Sequence, residues 1–375
     1  MFGLQRTATT QSSRCAPPIP TPVHLASGLL ISVFVLVGLG ACASSASPDS
    51  APTTEPRVVR VVTHDSFALT ESLVEAFEQA SGIDVEFIPG GDAGEMVNRA
   101  VLSTGNPDGD VLYGIDTTLL TRAIDADVFE PYVSTPEALR PELVAAGLEM
   151  VTPIDDGDVC INIDDGWFAE RGIDPPTTLD DLANPTYRGL LVAQNPATSS
   201  PGLAFLLATI ARFGEGWVDY WMSLRDNDIA IVNGWSEAYL SEFTAGGGGG
   251  DRPLVVSYST SPTAEIVYAE GPAPEQPSTS VLVDSCYRQI EFAGVLRGAS
   301  DPAAAQQVID WLVSPDVQAD IPLSMFVFPA RTDTPLPDVF ERFVVRPTAP
   351  RDLPASDIAR NRDAWIDEWT EIVLR

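Results

Sequence analysis

The sequence predicts an α/β protein with two parallel-sheet units, and three observations carry that reading. The chain has 375 residues, more than one simple core accommodates, so two units are expected. From residue 58 it alternates strand and helix in a β-α-β-α-β succession, which builds a parallel sheet covered by helices. A second alternation of the same kind occupies about 165–280.

The first unit opens on VVRVVTHDSF (58–67), an apolar-rich strand that runs into a polar turn. TESLVEAFEQASG (70–82) puts Leu73, Val74, Phe77 and Ala80 on one helix face, with Gly82 at the C-cap position. IDVEFI (83–88) alternates as a strand, PGGDAG turns into a helix near 93–103, and DVLYG (110–114) is the third strand. The loops after these strands carry Asp65, Ser66 and Asp116. Ligands of open α/β sheets sit at the carboxyl ends of strands. Those acids could accept hydrogen bonds from an amino group or pair with a cation; acids in turns also serve as local caps.

DVCINID (158–164) is a further strand, and the second unit then runs through a capped helical turn over 177–189 into a strand at LLVAQNP (190–196). The latter strand leads into NPATSSPGLAFLL (195–207), and in the helix beginning near 201 Leu203, Leu206, Leu207, Ile210 and Phe213 are apolar, marking it as buried. Pro201 suits its first turn. Three hydroxyls, Thr198, Ser199 and Ser200, crowd at that helix start. Two readings stand: one cap with two bystanders, or an anion site built on unpaired N–H groups and the positive end of the helix dipole.

WVDYWMSLRDN (217–227) reads as helix, IAIV (229–232) as strand, NGWSEAYLSEF (233–243) as helix and PLVVSYSTSP (253–262) as strand. Trp235 and Tyr239 are four apart and share a helix face, while Tyr258 ends a strand. Exposed, such rings stack on flat cationic rings; packed inside, they are core. GGGGG (246–250) reads as a flexible surface loop. A long β-rich run (280–296), a capped helix at about 302–313 and a C-terminal helix over 354–374 complete the chain.

The 53 acids face 21 basic residues, all of them Arg, for a formal charge of -32. That balance excludes a protein whose main task is gripping nucleic acid, which needs dense positive charge. It suits a small cationic ligand and equally a soluble protein in a salty or extracellular setting. HLASGLLISVFVLVGLGAC (24–42) has one apolar run with Arg6, Arg14 and His24 before it and no acid, the layout of an export segment. Its ending resembles the bacterial lipoprotein cleavage box, with Cys42 as the lipidated residue. A plain membrane anchor or ordinary signal peptide is the alternative. Residues 43–56 have the Ser/Pro/Ala makeup of a flexible tether.

Beyond the export segment only Cys160 and Cys286 remain, and two cysteines in an exported chain are most simply a disulfide. The chain has two histidines, His24 and His64, and no C-x-x-C, so no structural zinc site is expected. Neither G-x-S-x-G nor H-E-x-x-H occurs. No catalytic residue and no cofactor are assigned.

Taken together, THDSF, YGIDTTLLTRA, NPATSSPGLAFLL, NGWSEAY, LVVSYSTSP and RNRDAWIDEWTEIV resemble, in order, the binding proteins of bacterial thiamine ABC transporters. The resemblance runs from about residue 58 to the C-terminus. It implies a two-lobed type II periplasmic-binding-protein fold: lobe 1 over 57–160 plus 286–345, lobe 2 over 161–285, and 346–375 packing near the hinge. It further implies capture of thiamine, with its mono- and diphosphate as further ligands, and delivery to a permease with its ATPase. Thr198, Ser199 and Ser200 would face the hydroxyethyl or phosphate end, and Trp235, Tyr239 and Tyr258 would form the aromatic wall. Asp65, Ser66 and Asp116 would lie in ligand-facing loops. Phe326 stands where relatives have a stacking Trp, and a Phe face attracts a cation less well.

The cysteines would tie the strands leading into and out of the second lobe. A lipid-anchored monomer on the outer face of the membrane is the expected form. Two other readings remain. One is a binding protein for another small cation or phosphorylated compound, ferric iron being disfavoured because the expected tyrosine pairs are absent. The other is an exported thiamine-degrading enzyme, which would need Cys160 free.

Overall fold

The computed structural model describes residues 57–144 and 149–375; the export segment, Cys42 and the tether lie outside the described residues. The first five elements follow the expected succession: β1 (Arg57–Thr63), α1 (Glu71–Ser81), β2 (Ile83–Pro89), α2 (Ala93–Leu102) and β3 (Val111–Asp116), followed by α3 (Leu120–Asp125). A long strand β4 (Thr152–Asp164) then leads to α4 (Asp165–Arg171), β5 (Leu191–Gln194), α5 (Ser200–Phe213), α6 (Trp217–Asp226) and β6 (Ala230–Val232). The single turn α7 (Trp235–Glu237) widens into a π turn (Ala238–Glu242) before β7 (Leu254–Tyr258) and α8 (Ala264–Val267). The 17-residue strand β8 (Thr279–Val295) returns, followed by α9 (Pro302–Leu312), α10 (Pro315–Ser324), β9 (Phe328–Pro329), α11 (Asp338–Phe343) and α12 (Ala355–Val373).

The nine strands of the described residues belong to one sheet of order β2-β1-β3-β8-β4-β7-β5-β6, with β9 paired to β4. Its two ends are parallel, as the strand–helix alternation requires: β1 pairs β2 and β3 at one end, and β5 pairs β6 and β7 at the other. Only the two long strands in the middle, β4 and β8, run antiparallel to each other and to their neighbours. This is the expected α/β architecture, with the two parallel ends joined into one sheet by β4 and β8 rather than forming separate sheets.

Strand alternation divides the core. Val62, Leu112, Leu191, Ala193, Leu254 and Val256 point to one face, where α2, α3, α5, α6 and α12 cover both halves as one apolar layer. Val59, Val61, Val111 and Tyr113 point to the other face and meet α9 and α10. At the far end that second face carries Val192 and Val255 against Tyr239 and Phe243. A cavity opens between these two covered regions.

Several elements differ from the sequence expectation: the helix read over 233–243 is one turn followed by a π turn, and α3, α4, α8, α11 and β9 have no counterpart in it. β4 begins at Thr152 rather than 158, through IDDGD, where three acids argue against a strand. Distant arginines make it possible. Arg140 Nη1 donates to Asp156 Oδ1 at 2.5 Å, Arg288 Nε donates to Asp158 Oδ1 at 2.8 Å, and Arg346 pairs with Asp156. Buried charges persist when paired in this way. The helix α10 is also absent from the sequence reading, because Pro322 lies inside it.

Cys160 on β4 and Cys286 on β8 form a disulfide. It sits where the β4–β8 register shifts between Val159 and Ile161. α12 packs on α3 and α6, with Trp369 edge-on to Trp221 at 5.4 Å and Arg122 paired with Asp363 at 3.2 Å. One C-terminal helix thus contacts helices that follow β3 at one end of the sheet and β5 at the other.

Candidate functional site

The cavity has a volume of about 590 Å³, and six of the ten sequence-derived residues line it: Asp65, Ser66, Trp235, Tyr239, Tyr258 and Phe326. Asp65 and Ser66 follow β1, and Asp65 is tethered by its N–H to Gly91 O at 3.0 Å. Trp235 and Tyr239 stack nearly parallel, with ring centroids 5.0 Å apart and planes 13° from each other. The π turn brings the two rings into register, and Trp235 Nε1 donates to Ser257 Oγ at 2.8 Å, fixing the indole. Elsewhere in the lining Phe326 lies against Tyr268, with ring centroids 5.6 Å apart. Phe326 has φ +55°, a strained value for an aromatic residue, and Thr260 Oγ1 holds its carbonyl.

The other four lie outside the cavity lining. Asp116 is fully buried and accepts from Thr118 N and Oγ1 at 2.6 Å and from Gln289 Nε2 at 2.7 Å. Ser199 Oγ caps α5 by accepting from Gly202 N at 3.4 Å, Ser200 Oγ accepts from Gln289 Nε2 at 2.6 Å, and Thr198 Oγ1 donates to Asn233 O at 2.6 Å. The start of α5 does hold an anion, but one from the same chain: Ser200 N donates to Asp92 Oδ1 at 3.3 Å. Asp92 also caps α2 through Ala93 N at 2.6 Å and receives Trp235 N at 2.8 Å. Burial pushes Asp92 up to about 6 and does the same to Asp116.

Several lining residues escaped the sequence reading: His64, Glu265, Tyr268, Met325 and Glu291. Glu291 carried a signal, as the lone charge in the apolar run IEFAGVL of β8. Tyr268, in a Gly/Pro-rich surface stretch, carried none and remains 66% exposed. The glycine run lies at the surface as expected, with Gly247, Gly248 and Gly249 exposed, and its Gly246 and Gly247 also line the cavity. Glu265 is tied by Ser278 N at 2.8 Å and Thr279 N at 3.1 Å. Three carboxylates and one imidazole line the cavity, and no arginine is among the described lining residues.

An aromatic slot with acids and no cation suits a flat, positively charged molecule. Comparisons with known proteins agree with that chemistry. The chain is 28% identical over 368 residues to the thiamine-binding periplasmic protein of Brucella suis, covering 94% of this chain and all of that one. It is 28% identical over 335 residues to the thiamine-binding periplasmic protein of Escherichia coli, covering 87% of this chain and 96% of the other. A solved periplasmic thiamin binding protein superposes with a TM-score of 0.74 at 27% identity, over 85% of this chain and 96% of that one. The sequence profile described as bacterial extracellular solute-binding protein matches residues 106–344. With that match over more than half its length, the chain belongs to the bacterial extracellular solute-binding proteins.

Proposed function

We propose that this chain captures thiamine outside the cytoplasmic membrane and hands it to an ABC permease, with Cys42 as its lipid anchor. The carrying observation is the lining of the cavity: the Trp235–Tyr239 stack, the Phe326–Tyr268 pair, and only acids for charge. A thiazolium ring between aromatic faces gains cation–π attraction of about 0.5–2 kcal/mol per face. The bond chemistry required is none; closure of two halves around the ligand excludes water. The register shift beside Cys160 and Cys286 supports a division into the lobes 57–160 plus 286–345 and 161–285, with 346–375 bridging them.

Among thiamine and its phosphates, this lining favours the unphosphorylated form. Each phosphate would meet Asp65 and Glu265 with no arginine in the lining to offset them. Calorimetric titration of protein lacking residues 1–56, stripped of ligand by unfolding and refolding, tests both points. One-to-one binding in the order thiamine, monophosphate, diphosphate is expected. Trp235→Ala should weaken thiamine about 10- to 100-fold. Absence of binding by all three would refute the ligand and leave the family standing.

A further inference from the structure

The cavity floor holds two buried polar atoms without a partner. His64 Nε2 and Glu291 Oε2 lie 3.8 Å apart, and neither makes a hydrogen bond within the described residues. Both residues line the cavity and are more than nine-tenths buried, at 8% and 7% exposure. Orphaned buried polar atoms are costly, and a site that keeps them is built to be completed by something else.

The imidazole is held rigidly. Its Nδ1 is 2.9 Å from Ser66 Oγ, and Phe67 and Tyr113 flank the ring at 6.3 and 6.0 Å. On a further side, the absence of a side chain at Gly114 is what makes room for it, since a Cβ there would lie 2.5 Å from His64 Cδ2. Behind Glu291, Tyr113 donates to Asp155 Oδ2 at 2.8 Å, which leaves Asp155 Oδ1 unpartnered as well.

We infer that Glu291 reads the amino-nitrogen edge of the ligand's pyrimidine ring from the cavity floor, with His64 Nε2 as the adjoining partner. This deepens the thiamine reading above and rests on it. An aminopyrimidine presents an amino donor beside a ring-nitrogen acceptor. A carboxylic acid answers both at once: its carbonyl oxygen accepts from the amino group while its O–H donates to the ring nitrogen.

The surroundings keep the proton on Glu291. Burial comes first, then the carboxylates of Asp155 on β4, Asp116 on β3 and Asp92 at the start of α2. The nearby cations are committed elsewhere: Arg140, Arg288 and Arg346 are paired with Asp156 and Asp158. Burial lowers His64 to about 4, so the imidazole is neutral and presents a single donor or acceptor at Nε2. The floor is therefore uncharged and hydrogen-bonding, while the charge of the ligand lies against the aromatic walls.

The test is a cycle of two ligands and four proteins. Thiamine and its analogue lacking the 4′-amino group are titrated into the full-length exported protein and its Glu291→Gln, Glu291→Asp and Glu291→Leu forms. The original protein should prefer thiamine about 10- to 100-fold, the worth of a desolvated two-point contact. Glu291→Gln, a neutral donor–acceptor of the same shape, should keep that preference within a few-fold. Glu291→Leu should abolish it. Glu291→Asp, which draws the acid back by one methylene, should reduce it and remains informative if the Leu form does not fold. An unchanged preference in Glu291→Leu or Glu291→Asp with thiamine still bound overturns this inference alone. No binding of thiamine to the original protein overturns both this inference and the thiamine reading.

Discussion

Asp92 Oδ2 accepts the backbone N–H of Trp235 at 2.8 Å, so the residue that caps α2 in the first half also holds the aromatic turn of the second. The same carboxylate occupies the start of α5 through Ser200 N. An internal anion therefore stands where a helix N-terminus would otherwise receive an external one. Replacing it by Asn keeps one acceptor and removes the charge. Asp92→Asn should lower the melting temperature by a few degrees through the lost hydrogen bond. It should also narrow the preference for thiamine over its diphosphate about tenfold. Calorimetric titration with both ligands checks this, and an unchanged ratio contradicts it.

Stability should fall as pH rises from about 5 to about 8. Burial pushes Asp92 and Asp116 up to about 6 and raises Asp155 and Glu291 as well. An acid with a raised folded value contributes stability in full below its unfolded value and loses it as pH rises through the folded one. His64, lowered to about 4, opposes this, because the unfolded imidazole takes a proton near 6.5 that the folded one refuses. Four acids outweigh one imidazole over this window. Scanning calorimetry across it should show a declining melting temperature, with a shallower decline for Asp155→Asn; a rising one would contradict the argument.

The Cys160–Cys286 bond closes a loop across 126 residues of sequence and joins the two strands common to both halves. Crosslinks over loops of that length constrain the unfolded chain, typically by about 2–5 kcal/mol. The double replacement Cys160→Ala, Cys286→Ala should lower the urea midpoint accordingly. Urea titration of both forms, with free-thiol counting on the original, measures it. Two reactive thiols in the exported protein would revive the enzyme reading.

Phe326 is the one non-glycine lining residue with a positive φ among the described residues. Trp offers a stronger face to a cation than Phe. Phe326→Trp should tighten thiamine about two- to fivefold, mainly by slowing dissociation. Stopped-flow measurement of both rates decides it; weaker binding would show that Phe326 does not stack on the charged ring.

How much of this was legible follows from which forces are local. The strands and helices of both units stand in the sequence because apolar periodicity and caps are local signals. The aromatic wall was legible for the same reason: Trp235 and Tyr239 share a helix face by spacing alone. β4 was cut short because the arginines that neutralise Asp156 and Asp158 come from positions 140, 288 and 346. Asp92 looks like an ordinary cap within PGGDAG, and nothing nearby in sequence reveals that Ser200 and Trp235 also reach it. The hydroxyl cluster left a cap and an anion site both open at α5; Ser199 supplies the cap and Asp92, remote in sequence, the anion.

The glycine run makes the sharpest remaining prediction. Five glycines in a row read as flexibility, yet the five positions are not equivalent here. A side chain at Gly246 would collide with the carbonyl of Tyr239, one at Gly248 with that of Leu240, and one at Gly250 with the backbone of Glu242. These three lie flush on the π turn that aligns Tyr239 with Trp235. Gly249 has φ +80° with open space around its Cα, a conformation that Asn tolerates. Gly246→Ala should therefore displace the turn, weaken thiamine at least about tenfold and lower the melting temperature, because backbone cannot yield as a side chain can. Gly249→Asn should leave both nearly unchanged. Titration and thermal melts of the two variants compare position with position. Equal, small effects at 246 and 249 would return the run to a passive loop; a large loss at 246 alone would establish it as the clamp that sets the aromatic wall.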